Sequence, residues 1–124
     1  MAGIASGVTV LDGGMGKELH RMGAPFRQPE WSALALWEAP EMVAEAHRRF
    51  IDAGADVIIT NTYALVPYHI GRERYAAQGE ALMALAARIA REVADEATRP
   101  VLVAGSIPPL FGSYQPANFD PGAA

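Results

Sequence analysis

Three short apolar runs, each ending in a small or polar tip, most constrain how this chain folds. They are Val8-Thr-Val-Leu11, Asp56-Val-Ile-Ile-Thr60 and Val101-Leu-Val-Ala104. The second and third do not alternate between apolar and polar residues, which marks strands buried on both faces. Helix-length stretches lie between the runs. Strands separated by helices pair in parallel through right-handed crossovers. The chain is therefore expected to be α/β, and two architectures fit: a doubly wound open sheet and a (β/α)8 barrel. Three parallel strands alone leave both sheet edges open. A complete barrel takes about 250 residues, so a barrel reading makes these 124 residues a part of one.

The intervening stretches carry their own signals. Residues 16–22 have Leu19 and Met22 three apart and Gly23 as a stop, which predicts a short helix. Two prolines interrupt residues 25–30, a predicted loop. Residues 31–37 are apolar and alanine-rich, helical or irregular. Pro40 suits a first helical turn, Glu41 and Glu45 suit the positive end of the helix dipole, and Gly54 supplies a stop. Val43, Ala46, His47 and Phe50 mark one face of that helix. Residues 68–77 begin a further helix, weakened by Gly71. Residues 78–97 form the strongest one, with Leu82, Leu85, Ala86, Ile89 and Val93 as its apolar stripe. Residues 110–124 show no periodicity and read as loop.

A chain of 124 residues with 51% hydrophobic content can bury one core and holds one domain, 1–124, with no second. The net charge of −4, without a basic cluster, argues against nucleic acid and acidic membrane surfaces as partners. Met1 to Val10 shows no positively charged leader, and no run approaches the ~20 apolar residues of a membrane span. A cytoplasmic location is expected by default. Cysteine is absent, which excludes disulfides, a thiolate nucleophile and a thiolate metal site within these residues. His20, His47 and His69 show no metal-ligand spacing and are expected at the surface or partly buried.

Each predicted strand runs into a polar tip: Asp12-Gly13-Gly14, Thr60-Asn61-Thr62 and Gly105-Ser106. Ligands of barrels and open α/β sheets bind at that edge. Glycine lets the backbone approach a ligand, and its N–H groups can hold a carboxylate. Asp12 can hold an ammonium group, so the tips together suit an amino-acid zwitterion. Ordinary turn chemistry accounts for Asp12-Gly-Gly14 equally well, and Thr60 and Asn61 can equally serve to satisfy backbone groups. The turn lacks G-x-G-x-x-G and the P-loop lysine–hydroxyl pair, so a phosphate loop is not indicated. Lys17 reads as solvated, and Trp31, Trp37 and Phe50 read as packing residues.

Four segments in register resemble the homocysteine S-methyltransferase family. They are Leu11-Asp-Gly-Gly-Met-Gly-Lys-Glu-Leu19; Trp31-Ser-Ala33 with Ala39-Pro-Glu-Met-Val43 leading to His47; Ala53-Gly-Ala-Asp-Val-Ile-Ile-Thr-Asn-Thr-Tyr63; and Ala104-Gly-Ser-Ile-Pro-Pro-Leu-Phe-Gly-Ser-Tyr114. The third is the most specific, and the fourth resembles members using S-methylmethionine or a similar donor. Lys17 departs from the family's usual threonine. The resemblance runs from about Val10 to Asp120 and implies a partial TIM barrel, about the first three β/α units with parallel strands. It also implies a bound zinc that activates homocysteine for methyl transfer, giving methionine. In the family, cysteines from later strands hold that zinc; this chain has none, so zinc belongs to the full-length family and no cofactor is expected on this chain alone.

What carries over is the first wall of the amino-acid pocket: Asp12, Gly13 and Gly14, with Thr60, Asn61, Thr62 and Ser106 as secondary candidates. No catalytic and no metal-binding residue is assigned. Homocysteine and a methyl donor are the implied small-molecule substrates. S-methylmethionine is the donor expected, although relatives use S-adenosylmethionine, betaine or a methyl-folate. The chain is expected to be a truncated part, inactive alone and self-associating through its incomplete barrel. A non-catalytic remnant, and a split barrel completed by a partner chain, are the alternatives.

Overall fold

A computed structural model describes residues 7–123. The leader expectation for Met1 to Val10 rests largely on residues 1–6, which lie outside the described residues, as does Ala124. The chain is α/β and rich in helix. In order come α1 (Met15–Arg21), a 3-10 turn (Trp31–Ala33), α2 (Leu34–Glu38), α3 (Pro40–Asp52), β1 (Val57–Ile59), α4 (Pro67–Ile70), α5 (Arg72–Glu96) and β2 (Leu102–Ala104). Two further 3-10 turns, Pro116–Asn118 and Pro121–Ala123, punctuate the final segment that the sequence marks as loop.

β1 and β2 pair in parallel, with Val57 opposite Leu102 and Ile59 opposite Ala104. The first apolar run contributes less than a strand. Leu11 forms a single parallel bridge to Val57. The Asp56 and Val57 N–H groups donate to the Val10 carbonyl at 2.7 and 3.2 Å, and the Asp12 N–H donates to Val57 at 3.0 Å. The three segments thus lie side by side, with β1 in the middle. Val10 and Leu11 are exposed because nothing among the described residues covers them. The same reason corrects the expectation of a buried third strand: β2 lies at the sheet edge and Leu102 remains 40% exposed.

α3 behaves as its sequence predicts. Pro40 opens it, and Gly54, at φ +111°, closes it. The Ala55 N–H donates to the Phe50 carbonyl and the Gly54 N–H to Ile51, each at 3.0 Å, so the last carbonyls find partners through a left-handed residue that glycine adopts without steric cost. α5 is longer than the 78–97 stripe indicates. Gly71 separates it from α4, and the polar first turns continue without interruption into the apolar stripe.

Two cores hold the sheet and helices together. Ile51 of α3, Ile58 of β1 and Ala90, Val93 and Ala94 of α5 pack with Ala55 and Val101. A larger cluster joins Leu19, Leu36, Val43, Leu65, Leu82 and Ala86. Burying a side chain of the size of Leu36 or Leu65 contributes about 1.5–3 kcal/mol. Arg99 fastens the opposite end of the sheet from the polar tips. Its Nη2 donates to the Ile51 and Ala55 carbonyls at 2.7 and 2.9 Å, and its Nη1 lies 3.5 Å from Asp56. Asp56 in turn accepts from the Val10 N–H at 2.9 Å, tying all three extended segments to α3. Among the described residues, no helix is long and apolar enough to cross a membrane.

Candidate functional site

Parallel register decides where the tips fall. Leu11 is level with Val57, and Ile59 is level with Ala104, so the residues after each segment emerge on one rim. A cavity of about 450 Å³ opens there. Asp12, Gly13, Gly14, Thr60, Asn61 and Ser106 line it. Thr62, the seventh predicted residue, is buried and does not.

Asp12 leaves its segment at the start of a glycine turn. Its Oδ2 accepts the Ile59 N–H at 2.9 Å. Its Oδ1 is buried and has no hydrogen-bond partner among the described residues. Burial raises the carboxyl above its ordinary value, while the N–H groups of Ile59 and of Asp12 itself pull it back part of the way. A half-satisfied buried carboxylate favours a cationic, hydrogen-bonding partner, because leaving an ionised oxygen unpaired costs more than leaving a neutral one. Gly13 follows, and the Phe50 ring of α3 packs under it. A Cβ built at Gly13 would lie 3.1 Å from Phe50 Cε1, so a side chain here displaces the ring. Phe50 is thus a packing residue with a specific task, supporting the turn.

The second and third tips are joined by a closed set of hydrogen bonds. Thr62 Oγ1 donates to the Ser106 carbonyl at 2.6 Å. With that proton committed, the Thr60 hydroxyl donates to Thr62 Oγ1 at 2.9 Å, and Thr60 Oγ1 accepts the Ser106 N–H at 3.1 Å. Asn61 Nδ2 donates to the Ser32 carbonyl at 2.9 Å. These threonines therefore brace the rim: β1 and β2 end at a fixed spacing. Asn61 and Ser106 present atoms on the cavity wall while anchoring neighbouring loops.

The structure adds residues that the sequence marks only as packing or leaves aside. Lys17, Phe26, Trp31, Tyr63 and Tyr114 also line the cavity. Trp31 and Tyr114 both hold left-handed backbone, at φ 50° and 59°, a region that bulky residues seldom occupy. Each such conformation costs on the order of 1–3 kcal/mol; Trp31 is half-buried, whereas Tyr114 is 82% exposed and meets the wall through its ring. Their rings stack at 6.3 Å between centroids and 28° between planes. Left-handed aromatics carry no local sequence signal; only the paired loops reveal them.

The histidine expectation needs correction at two of three positions. His20 is exposed, but His47 and His69 are buried. His47 is wholly enclosed, and burial lowers its imidazole from 6.5 to about 4. It lies on the inner face of α3, so helical periodicity carries it inward with Val43 and Ala46. His69 is held by a hydrogen bond at each ring nitrogen.

A family model described as homocysteine S-methyltransferase matches residues 9–122. This chain belongs to the homocysteine S-methyltransferase family. Homocysteine S-methyltransferase 1 of Zea mays is 35% identical over 118 residues, covering 89% of this chain and 36% of that protein. Selenocysteine methyltransferase of Astragalus bisulcatus is 33% identical over 130 residues, covering 89% of this chain and 37% of that protein. The metallated crystal structure of the homocysteine methyltransferase MmuM from Escherichia coli superposes with a TM-score of 0.70 at 32% identity, covering 85% of this chain and 39% of that one. The chain thus spans little more than a third of the length of these relatives.

The zinc that the family resemblance implies does not fit the donors present. The 124 residues contain no cysteine. Among the described residues, no three of His, Cys, Asp and Glu gather where they could share a metal ion. His69 has both nitrogens committed and His47 sits inside the core. No chemical step is assigned to a metal on these residues.

Proposed function

We propose that these residues form the amino-acid-binding wall of a homocysteine S-methyltransferase, within the first units of a (β/α)8 barrel domain acting in the cytoplasm. The reading rests above all on Asp12, which lines the rim cavity beside the Gly13–Gly14 turn and whose buried Oδ1 has no hydrogen-bond partner among the described residues. Asp12 receives the ammonium of homocysteine, and the Gly13 and Gly14 N–H groups receive its carboxylate. Asn61 and Ser106 complete the polar side. Thr60 and Thr62 hold the rim at its spacing. Phe26, Trp31 and Tyr114 face the two-carbon thiol side chain of the amino acid.

The reaction proposed is displacement by the homocysteine sulfur on the methyl group of S-methylmethionine: the new S–CH3 bond forms as the sulfonium S–CH3 bond breaks, the thiol proton is released, and the acceptor and the leaving group both become methionine. The sulfur must be a thiolate to attack well near neutral pH. The zinc that the family resemblance implies would supply that activation; the groups on these residues bind and orient the amino acid. The 124-residue chain is therefore proposed to bind without turning over. Exposed Val10, Leu11 and Leu102 along the sheet support completion by further strands, from this polypeptide or from a second copy or partner.

Calorimetric titration of L-homocysteine into the purified chain tests the reading. Saturable binding is expected, and Asp12→Asn weakens it by about 10- to 150-fold, the worth of a charge-assisted hydrogen bond of about 1.5–3 kcal/mol. Absence of binding, or equal binding by Asp12→Asn, would overturn it.

A further inference from the structure

His69 joins two loops that are far apart in the chain, away from the polar rim. Its imidazole is buried in α4, and its two nitrogens reach two distant loops. Nδ1 lies 2.8 Å from the Pro29 carbonyl, and Nε2 lies 2.6 Å from Ser113 Oγ. A carbonyl only accepts, so Nδ1 carries the proton and donates. Nε2 of the neutral ring then accepts from the Ser113 hydroxyl. One bond ends two residues before Trp31, the other one residue before Tyr114. These are the two left-handed aromatics that stack on one another in the cavity wall.

The neighbouring residue reinforces the second arm. The Tyr68 hydroxyl accepts from Gln115 Nε2 at 3.0 Å, and a Cβ built at Gly112 would lie 3.3 Å from the Tyr68 ring. The His69 ring also lies 5.7 Å from the Trp31 ring. α4 is thus wedged between the 29–31 loop and the 112–115 segment, with contacts to both.

We propose that His69 is a positioning residue that sets the spacing of the Trp31–Tyr114 aromatic wall, and through it the apolar side of the amino-acid pocket. It touches no ligand itself. Its consequence for binding rests on the homocysteine reading above; the geometry of the wall does not.

The experiment uses the full chain with Trp37→Phe, which leaves Trp31 as the only indole, and reads the near-ultraviolet circular dichroism of Trp31. His69→Phe removes both arms. His69→Asn and Ser113→Ala each keep the Pro29 arm and remove the Ser113 arm. The expected order is a full Trp31 band in the parent, a matching partial loss in His69→Asn and Ser113→Ala, and complete loss in His69→Phe. L-Homocysteine affinity falls in the same order, by about 2- to 10-fold for loss of one hydrogen bond behind the wall. An unchanged band in Ser113→Ala and His69→Asn, with parental melting, overturns the proposal even if His69→Phe does not fold. If the parent binds no homocysteine, the function reading fails, and the dichroism still decides the role of His69.

Discussion

His47 gives the sharpest prediction about stability. The ring is wholly enclosed on the inner face of α3, and neither nitrogen has a hydrogen-bond partner among the described residues. Burial disfavours the charged form and lowers its pKa from 6.5 to about 4. Between those values the unfolded chain binds a proton that the folded chain refuses. Stability from the neutral ring is therefore fully present above pH 6.5 and is lost as pH falls towards 4. At about 1.36 kcal/mol per pH unit, the whole loss is about 3 kcal/mol. That is a large share of the 5–15 kcal/mol typical of a small domain. With a urea dependence of about 2 kcal/mol per molar, the midpoint moves by about 1.5 M. Urea unfolding of the wild-type chain and His47→Leu at several pH values between 4 and 7.5 isolates the effect, because other titrating groups are common to both. The wild-type midpoint should fall towards acid relative to the variant by about that amount. Parallel pH profiles would refute the reasoning.

Two further outcomes follow from the same structure. Arg99→Ala removes hydrogen bonds to the Ile51 and Ala55 carbonyls and the Asp56 pair, and should lower unfolding free energy by about 1–3 kcal/mol. Arg99→Lys recovers less than half, since a single ammonium lacks the guanidinium fork; a melt of Arg99→Ala superimposable on wild type would contradict this. The purified chain, given L-homocysteine, S-methylmethionine and added zinc, should form no methionine by mass spectrometry, and zinc-dependent methionine formation would contradict that.

What the sequence revealed depended on how local the cause was. Pro40, the Val43–Ala46–His47–Phe50 face and Gly54 act within one helix, and α3 appears where they put it. The polar tips emerge on one rim because parallel strands with equal exits leave no other place for them, and six of seven predicted residues line one cavity. Thr62 departs because its hydroxyl is consumed by Ser106, a partner 44 residues away that no local pattern announces. The first strand shrank to a bridge since a β-rich run becomes a ladder only against suitable neighbours, and its outer edge meets none among the described residues. Trp31, Tyr114 and His69 were hidden for the same reason: their roles come from loop-to-loop contacts.

The most direct measurement is an amide chemical-shift titration of the isotopically labelled chain with L-homocysteine. The Gly13, Gly14, Ile59 and Ser106 amides should move together and saturate at one dissociation constant, Ile59 included because it donates to Asp12. Movement confined to the Pro108–Phe119 surface, or no saturable movement, would contradict an amino-acid cradle at the strand tips.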